Sequence, residues 1–353
     1  MITVIFSNSH RQKGYVLVMV LWLLVIFSVF VGFGSLEIDQ LHQSAYEELL
    51  GYETELARYS TEQTLLYLLA TRESSYAGLQ YLKPYEQRGN DPFRPGLFVP
   101  DGPTLRLDGR SYLGADQLAF SVQDAASLLS LRTKDDSALD SLLAQMGKPR
   151  AERERLIARL RDHTDRDGDV RLNGYEVRGT RAVGPINRFL VSPLQLKDVR
   201  SWKNAFTDSE WRWLFQEVSI YVGSRWNVNS MTPTGMRMIG LSRSDIDDII
   251  NWRETNYIGN VVQLATMTGE VARIDPVRLA FTPSKYFRLG FEDRTSTAWV
   301  GITMTPGSRD RPWVIDYRIR VTTDKTENGK TKNDNRQSAE KDFRWSSIFT
   351  NEA

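Results

Sequence analysis

The sequence predicts an α+β protein: one long N-terminal helix whose second half packs on a sheet, then a series of short helices, then antiparallel strands near the C-terminus. Three observations carry this. No Pro interrupts the chain between Tyr15 and Leu82, and apolar residues recur there at helical spacing. Residues 124–270 read as short helices joined by Gly-containing turns. Residues 271–322 switch to runs rich in aromatic and β-branched residues, the mark of strands.

The helix comes first. Tyr15 to Leu36 is uncharged and mostly apolar, and about 20 such residues cross a bilayer as a helix. His10, Arg11 and Lys13 precede the run; Glu37, Asp39, Glu47 and Glu48 follow it. Lys and Arg stay on the N-terminal side until Arg58. That bias puts the N-terminus in the cytoplasm and the bulk of the chain outside it, as in a single-pass bacterial inner-membrane protein with a periplasmic body. Leu41, Ala45, Leu49, Leu56, Tyr59, Leu66 and Leu69 continue an apolar stripe. The helix then runs from Tyr15 to about Arg72, roughly 85 Å at 1.5 Å per residue. Its second half needs a sheet to cover that stripe.

Residues 73–123 form the first part of a sheet domain. Ser74 to Gly109 is rich in Gly, Pro and Tyr and reads as a loop with a short strand at Gly96–Val99. Leu118–Val122 is a better strand. Helical patterns follow at Asp124–Leu131, Ser137–Met146 and Ala151–Arg161, then at Thr232–Ile239, Asp245–Arg253 and Ile258–Met267. Ser242 or Ser244 supplies the N-cap of the second of these later helices, with Asp245 in its first turn. The repeated short helices suggest a helix-hairpin-helix or SAM-like insert over 124–270. Strands are expected at Tyr286–Phe291, Ser296–Thr305 and Trp313–Thr322, with a hairpin loop at Gly307–Pro312. In the last strand Ile315, Tyr317, Ile319 and Val321 alternate with Val314, Asp316, Arg318 and Arg320, the period of a half-buried strand. Residues 323–353 form a polar tail.

Composition removes several functions. The 353 residues carry a net charge of +1, which argues against nucleic-acid binding. With no Cys, disulfides, thiolate catalysis and Cys-based zinc sites are excluded. Only His10, His42 and His163 are available for His chemistry. Trp211, Trp213 and Trp226 read as core aromatics. Asp245, Asp247 and Asp248 read as a charged helix start, and Glu152 to Arg159 as a solvated helix face.

One segment has chemical content. From Asp165 to Glu176, oxygen-bearing residues stand at Asp165, Asp167, Asp169, Asn173 and Glu176, positions 1, 3, 5, 9 and 12 of a calcium loop. Arg171, at position seven, would offer its backbone carbonyl, and Leu172 fills the apolar position eight. Asp162 lies just upstream as a further ligand. Hard oxygens without Cys favour calcium over zinc. The Gly expected at position six is Val170, a departure from strict EF-hand geometry. A solvated acidic turn is the competing reading.

The leader has its own signature. Gly14 precedes the apolar run, where a secretory signal would place its cleavage site after the run. Lys13, Gly14 and an aromatic Tyr15 resemble the class III signal of type IV pilins and secretion pseudopilins; an ordinary signal anchor is the alternative. Most such subunits carry Glu at the fifth mature position, where this chain has Met19. That absence resembles the minor pseudopilin family of general secretion pathway protein K. So does the acidic segment: Asp162, Asp165, Asp167, Gly174 and Glu176 fit the family's spacing. Asn187–Phe189, Ser192–Leu196, Val199, Trp226–Asn229, Ile249–Arg253, Val261–Gly269 and Ser284–Phe287 resemble its later segments in the same order.

The resemblance implies a type IV pilin-like fold with a large helical insert and calcium as cofactor. It implies cleavage after Gly14 and methylation of Tyr15 by a prepilin peptidase. It further implies partnership with other minor pseudopilins at the pseudopilus tip and with the inner-membrane assembly platform. The domains are then 1–14 leader, 15–72 anchor and helix, 73–123 and 271–322 the pilin-like α/β domain, 124–270 the insert, and 323–353 the tail. The function implied is a non-enzymatic cap that starts assembly of a type II secretion pseudopilus. Two alternatives stand beside it: a minor pilin of a type IV pilus, and a membrane-anchored metal-dependent hydrolase using Asp165, Asp167 and Glu176.

Overall fold

The structure is a computed structural model that describes residues 13–80, 104–133, 136–176, 185–222, 225–268, 276–293 and 296–322. Most of the leader, the strand expected at Gly96–Val99 and the polar tail lie outside the described residues. The chain divides into two compact units, residues 1–56 and 57–353. In the first, the described chain is all helix, belonging to α1 (Lys13–Thr71). It is long and apolar enough to cross a membrane by length and composition. Beyond the apolar run, Ile38, Leu41, Leu49, Tyr52 and Leu56 are exposed. Their spacing puts them along one side of the helix.

In the second unit, α1 continues to Thr71 and lays Ala57, Leu65, Leu66, Leu68 and Leu69 on a five-stranded antiparallel sheet. The strands are β4 (Asp108–Leu113), β5 (Ala119–Asp124), β10 (Tyr286–Glu292), β11 (Ser296–Met304) and β12 (Trp313–Thr322), in spatial order β12-β11-β10-β5-β4. Phe120, Val122, Phe287, Leu289, Phe291, Ala298, Val300 and Ile302 face the helix and form one core with it. Glu62 is buried on this helix and accepts a two-pronged hydrogen bond from Arg318 of β12, at 2.5 and 2.6 Å.

The opposite face of the sheet is covered by the insert. Here Trp299, Tyr317 and Ile319 join a second core with α2 (Asp136–Gln145), α3 (Arg150–Thr164) and α4 (Asp208–Glu217). A file of rings, Trp202, Trp211, Phe215 and Trp299, crosses from insert to sheet with centroids 5.3–6.4 Å apart. Gly301 has no room for a side chain: a Cβ there would sit 2.1 Å from the Tyr317 ring. From β10, Arg288 reaches into the insert, and its guanidinium donates to the carbonyls of Phe215 and Gln216 at 2.7 and 2.6 Å. Those are orphan carbonyls of the last turn of α4, so a sheet residue caps an insert helix.

A third core holds α5 (Pro233–Met238), α6 (Arg243–Thr255) and α7 (Val261–Thr268) around Met236, Ile246, Ile249 and Leu264. The α5–α6 turn has a clear local cause. Gly240 adopts φ +91, and Ser242 caps α6 in a reciprocal box with Asp245.

The helix expected over Asp124–Leu131 is replaced by a short 3-10 turn at Ala125–Ser127 and by β6 (Leu129–Ser130). β6 pairs in parallel with β7 (Val218–Ser219). The cause is local side-chain competition with the helix ladder. Asp124 accepts from the Ala126 N–H at 3.1 Å, and the Ser127 hydroxyl donates to the Asp124 carbonyl. The loop expected over Ser74–Gly109 contains a small sheet of β1 (Ser74–Ser75), β2 (Gly78–Gln80) and β3 (Thr104–Leu105).

Two buried aspartates tie these parts together. Asp124, at the end of β5, takes four hydrogen bonds from neutral donors. These are the Ala126 N–H, the Ser284 hydroxyl and N–H, and the side-chain amide of Asn227 in β8 (Trp226–Asn227). Asp108, at the start of β4, instead meets two guanidinium groups, those of Arg110 at 3.0 Å and Arg253 of α6 at 3.2 Å.

Candidate functional site

The acidic segment starts in the last turn of α3. Asp162 is wholly buried there. Its Oδ2 accepts from the backbone N–H groups of Tyr175 at 2.7 Å and Arg171 at 3.2 Å. Its Oδ1 accepts from the Arg171 guanidinium at 2.8 Å. Asp165 is the C-cap residue of α3, and its Oδ2 takes a second bond from the same guanidinium. Those two carboxylates, Asp165 first and then Asp162, push Arg171 up from its ordinary pKa. The loop folds around one internal positive charge.

Gly174 packs directly on this arrangement. A Cβ there would lie 1.9 Å from Asp162 Oδ2, so only glycine fits. The left-handed turn expected at position six lies elsewhere. Asn173 carries the positive φ of +66, a conformation Asn tolerates, while Val170 has none. Asp167 accepts from the Asp169 N–H at 3.1 Å, and both side chains are exposed. Leu172 is 89% exposed, so the apolar position eight is not buried. The Arg171 carbonyl accepts from the Gly174 N–H at 2.8 Å. Glu176 is half-buried at the far end of the loop.

Among the described residues, no three His, Asp or Glu side chains converge closely enough to form a metal-binding group. The loop's chemistry nevertheless fits a hard cation. Asp162 and Asp165 both face one positive charge, and Asp165 Oδ1 is buried with no hydrogen-bond partner, an atom with unused acceptor capacity. A groove of about 670 Å³ runs beside the loop between α2 and α3. Its charges pair with one another, Arg153 with Asp140 at 2.7 Å and Arg161 with Asp136 at 2.6 Å. His163 is buried, and burial pushes its pKa down; among the described residues no hydroxyl nucleophile is bonded to it.

Sequence reasoning missed part of what the other motifs do. Asn227 holds Asp124, as described. Asn229 uses both ends of its amide, donating to the Ile258 and Phe281 carbonyls at 2.8 and 2.9 Å and accepting from the Ile258 N–H at 2.8 Å. These asparagines order the turn that leads into α5. The capping box of Thr207 and Glu210 at the start of α4 was a readable signal for a helix not expected there.

The long helix on an antiparallel sheet, with helices inserted between the two central strands, is a type IV pilin-like α+β fold. It is similar to a chain in the crystal structure of the GspK-GspI-GspJ complex from the Type 2 Secretion System of enterotoxigenic Escherichia coli. The match has a TM-score of 0.50 and 15% identity, and it covers 80% of this chain and 99% of that chain. No protein-family model and no curated protein matches the sequence.

Proposed function

We propose that this chain is a minor pseudopilin of a type II secretion system that caps the pseudopilus tip and starts its assembly. The observation that carries this reading is the fold match, which spans nearly the whole of a chain from a complex of minor pseudopilins. The N-terminus supports it: Lys13, Gly14 and Tyr15 open a helix long and apolar enough to cross a membrane. In this reading a prepilin peptidase cuts after Gly14 and methylates Tyr15. The helix then anchors the chain in the inner membrane with its body in the periplasm. The exposed side formed by Ile38, Leu41, Leu49, Tyr52 and Leu56 packs against helices of other minor pseudopilins and the assembly platform. Met19 offers no carboxylate to the amine of a subunit above, which suits a terminal position.

Mass spectrometry of the chain from its host, with and without the prepilin peptidase, tests the reading. A methylated N-terminus at Tyr15 that disappears without the peptidase is the expected result. An intact leader in both strains sinks it. Deletion of the gene then separates the systems: lost secretion marks a pseudopilin, and lost piliation with normal secretion marks a pilus subunit.

Calcium is the proposed cofactor of the 162–176 loop. Asp162, Asp165, Asp167, Asp169, Asn173, Glu176 and the Arg171 carbonyl are the residues that would hold it. When bound, the ion supplies the positive charge that lets several carboxylates stay together. The chain's own part is to hold Asp162 and Asp165 oriented, through the Tyr175 and Arg171 N–H groups and the close approach of Gly174. An ion at 100 times its Kd stabilises the fold by about 2.7 kcal/mol. The full chain should therefore melt higher in calcium than in chelator, and Asp165→Asn should abolish the difference. Equal melting of the wild-type chain in both would overturn the assignment.

A further inference from the structure

Among the described residues, three arginines on the far side of α3 have no counter-charge. Arg155 and Arg159 stand one turn apart on that helix, and Arg200 lies in the turn after Val199. The Arg159 guanidinium donates to the Ser201 hydroxyl, which brings it beside Arg200. Arg155 and Arg200 are exposed and Arg159 half-buried. Among the described residues, none of the three makes an ion pair, and the Nε of Arg159 has no hydrogen-bond partner. Burial, then the charges of Arg155 and Arg200, push the Arg159 guanidinium down, with no carboxylate opposing them. The nearby acids are engaged elsewhere or stand apart: Asp198 faces His163, and Glu152, one turn earlier on α3, pairs with none of the three.

The geometry around the cluster is organised. The Arg200 guanidinium lies 3.9 Å from the centre of the Tyr175 ring, a cation–π stack that orients it. Ser201 sits at φ +70, a left-handed conformation unusual for a residue with a side chain. That turn packs on the insert through the fully buried Trp202. Other arginines of the same helical layer meet carboxylates: Arg150 with Glu154, Arg153 with Asp140, Arg161 with Asp136, Arg171 with Asp162 and Asp165. Like charges left together on a nearly neutral chain repel, and an external anion relieves that repulsion.

We infer that Arg155, Arg159 and Arg200 form a docking surface for an acidic polypeptide segment, with guanidinium forks taking carboxylates. Arg forks match carboxylates in two-pronged geometry. The surface is open, so a single small ion there stays hydrated and screened. A segment carrying several carboxylates engages the three groups at once and gains from their linkage. The inference does not depend on the secretion reading.

The test is fluorescence anisotropy of a labelled Glu-Asp-Glu-Glu-Asp-Glu peptide on the detergent-solubilised full chain. A Gln/Asn peptide of the same length and inorganic phosphate serve as competitors. The expected result is binding that weakens at least about tenfold in an Arg155→Gln, Arg159→Gln, Arg200→Gln variant. An Arg243→Gln control on α6 should leave it within about twofold, and raising salt should weaken it steeply. Circular dichroism establishes that the triple variant is folded. If it is not, the exposed pair Arg155→Gln and Arg200→Gln alone decides the matter, with a loss of at least about fivefold expected. Failure of the wild-type chain to bind the acidic peptide overturns the inference. So does equal binding by the folded variant, equal competition by the neutral peptide, or tighter binding of phosphate than of the peptide.

Discussion

Asp108 and Asp124 both bury their carboxylates on neighbouring strands, yet they are held in opposite ways. Asp108 sits between the guanidinium groups of Arg110 and Arg253. Although burial raises its pKa, the hydrogen bonds and charge of Arg110, followed by the charge of Arg253, outweigh that and leave it lowered. Asp124 is surrounded by neutral donors, and burial wins, leaving its pKa raised despite four hydrogen bonds. The first aspartate is a charge that other charges require. The second is a hydrogen-bonding hub where the chain leaves the sheet and where it returns. Burial alone therefore says little about what a carboxylate contributes; the charge of its donors decides the sign.

The sharpest way to break the comparison is to remove each group. Asp108→Ala leaves Arg253 buried with an uncompensated charge and should cost about 3–5 kcal/mol in urea unfolding. Asp124→Ala leaves the Asn227 amide and the Ser284 donors without their acceptor and should cost less, about 2–3 kcal/mol. A larger loss at Asp124 than at Asp108 would reverse the ranking and show that charge pairing is the weaker of the two. The smallest effect is in pH dependence. A lowered carboxylate stabilises the fold above its unfolded pKa of about 3.9, and that share is lost as pH falls through the lower folded value. A raised one does the reverse: the fold gains stability as pH falls from neutrality through the raised value toward about 4. Asp108→Asn should flatten the loss below about pH 4, and Asp124→Asn should remove the gain above it. Stability curves of the two variants from pH 7 to pH 3 would show the opposite signs.

The same contrast explains what was legible in the sequence. Signals that act over a few residues were readable. Ser242 and Asp245 announced α6, and the alternation of Tyr317 and Ile319 with Arg318 and Arg320 announced β12. The long helix was announced by the missing prolines and the apolar run. What local pattern could not carry was the destination of polar side chains. Asp124 turns its own segment through the Ala126 N–H and the Ser127 hydroxyl, but its bonds to Asn227 and Ser284, far along the chain, have no local signal. In the acidic loop, the spacing located Asp162, Asp165 and Gly174, which come together. It did not show that Arg171 would reach back to both carboxylates, nor that Leu172 would stay in solvent. Spacing encodes where a loop can place oxygens; it does not encode which cation, internal or external, they meet.

The pairing of β5 with β10 has a consequence in time. Phe120 lies opposite Phe291 at the middle of the sheet, so the central seam closes only after the whole insert has been synthesised. Closing so long a loop is entropically costly and slows folding. A chain emerging N-terminus first therefore exposes the unpaired edge of β5 throughout the synthesis of the insert. During that interval the nascent protein is most open to strand exchange with a neighbour and most in need of a chaperone.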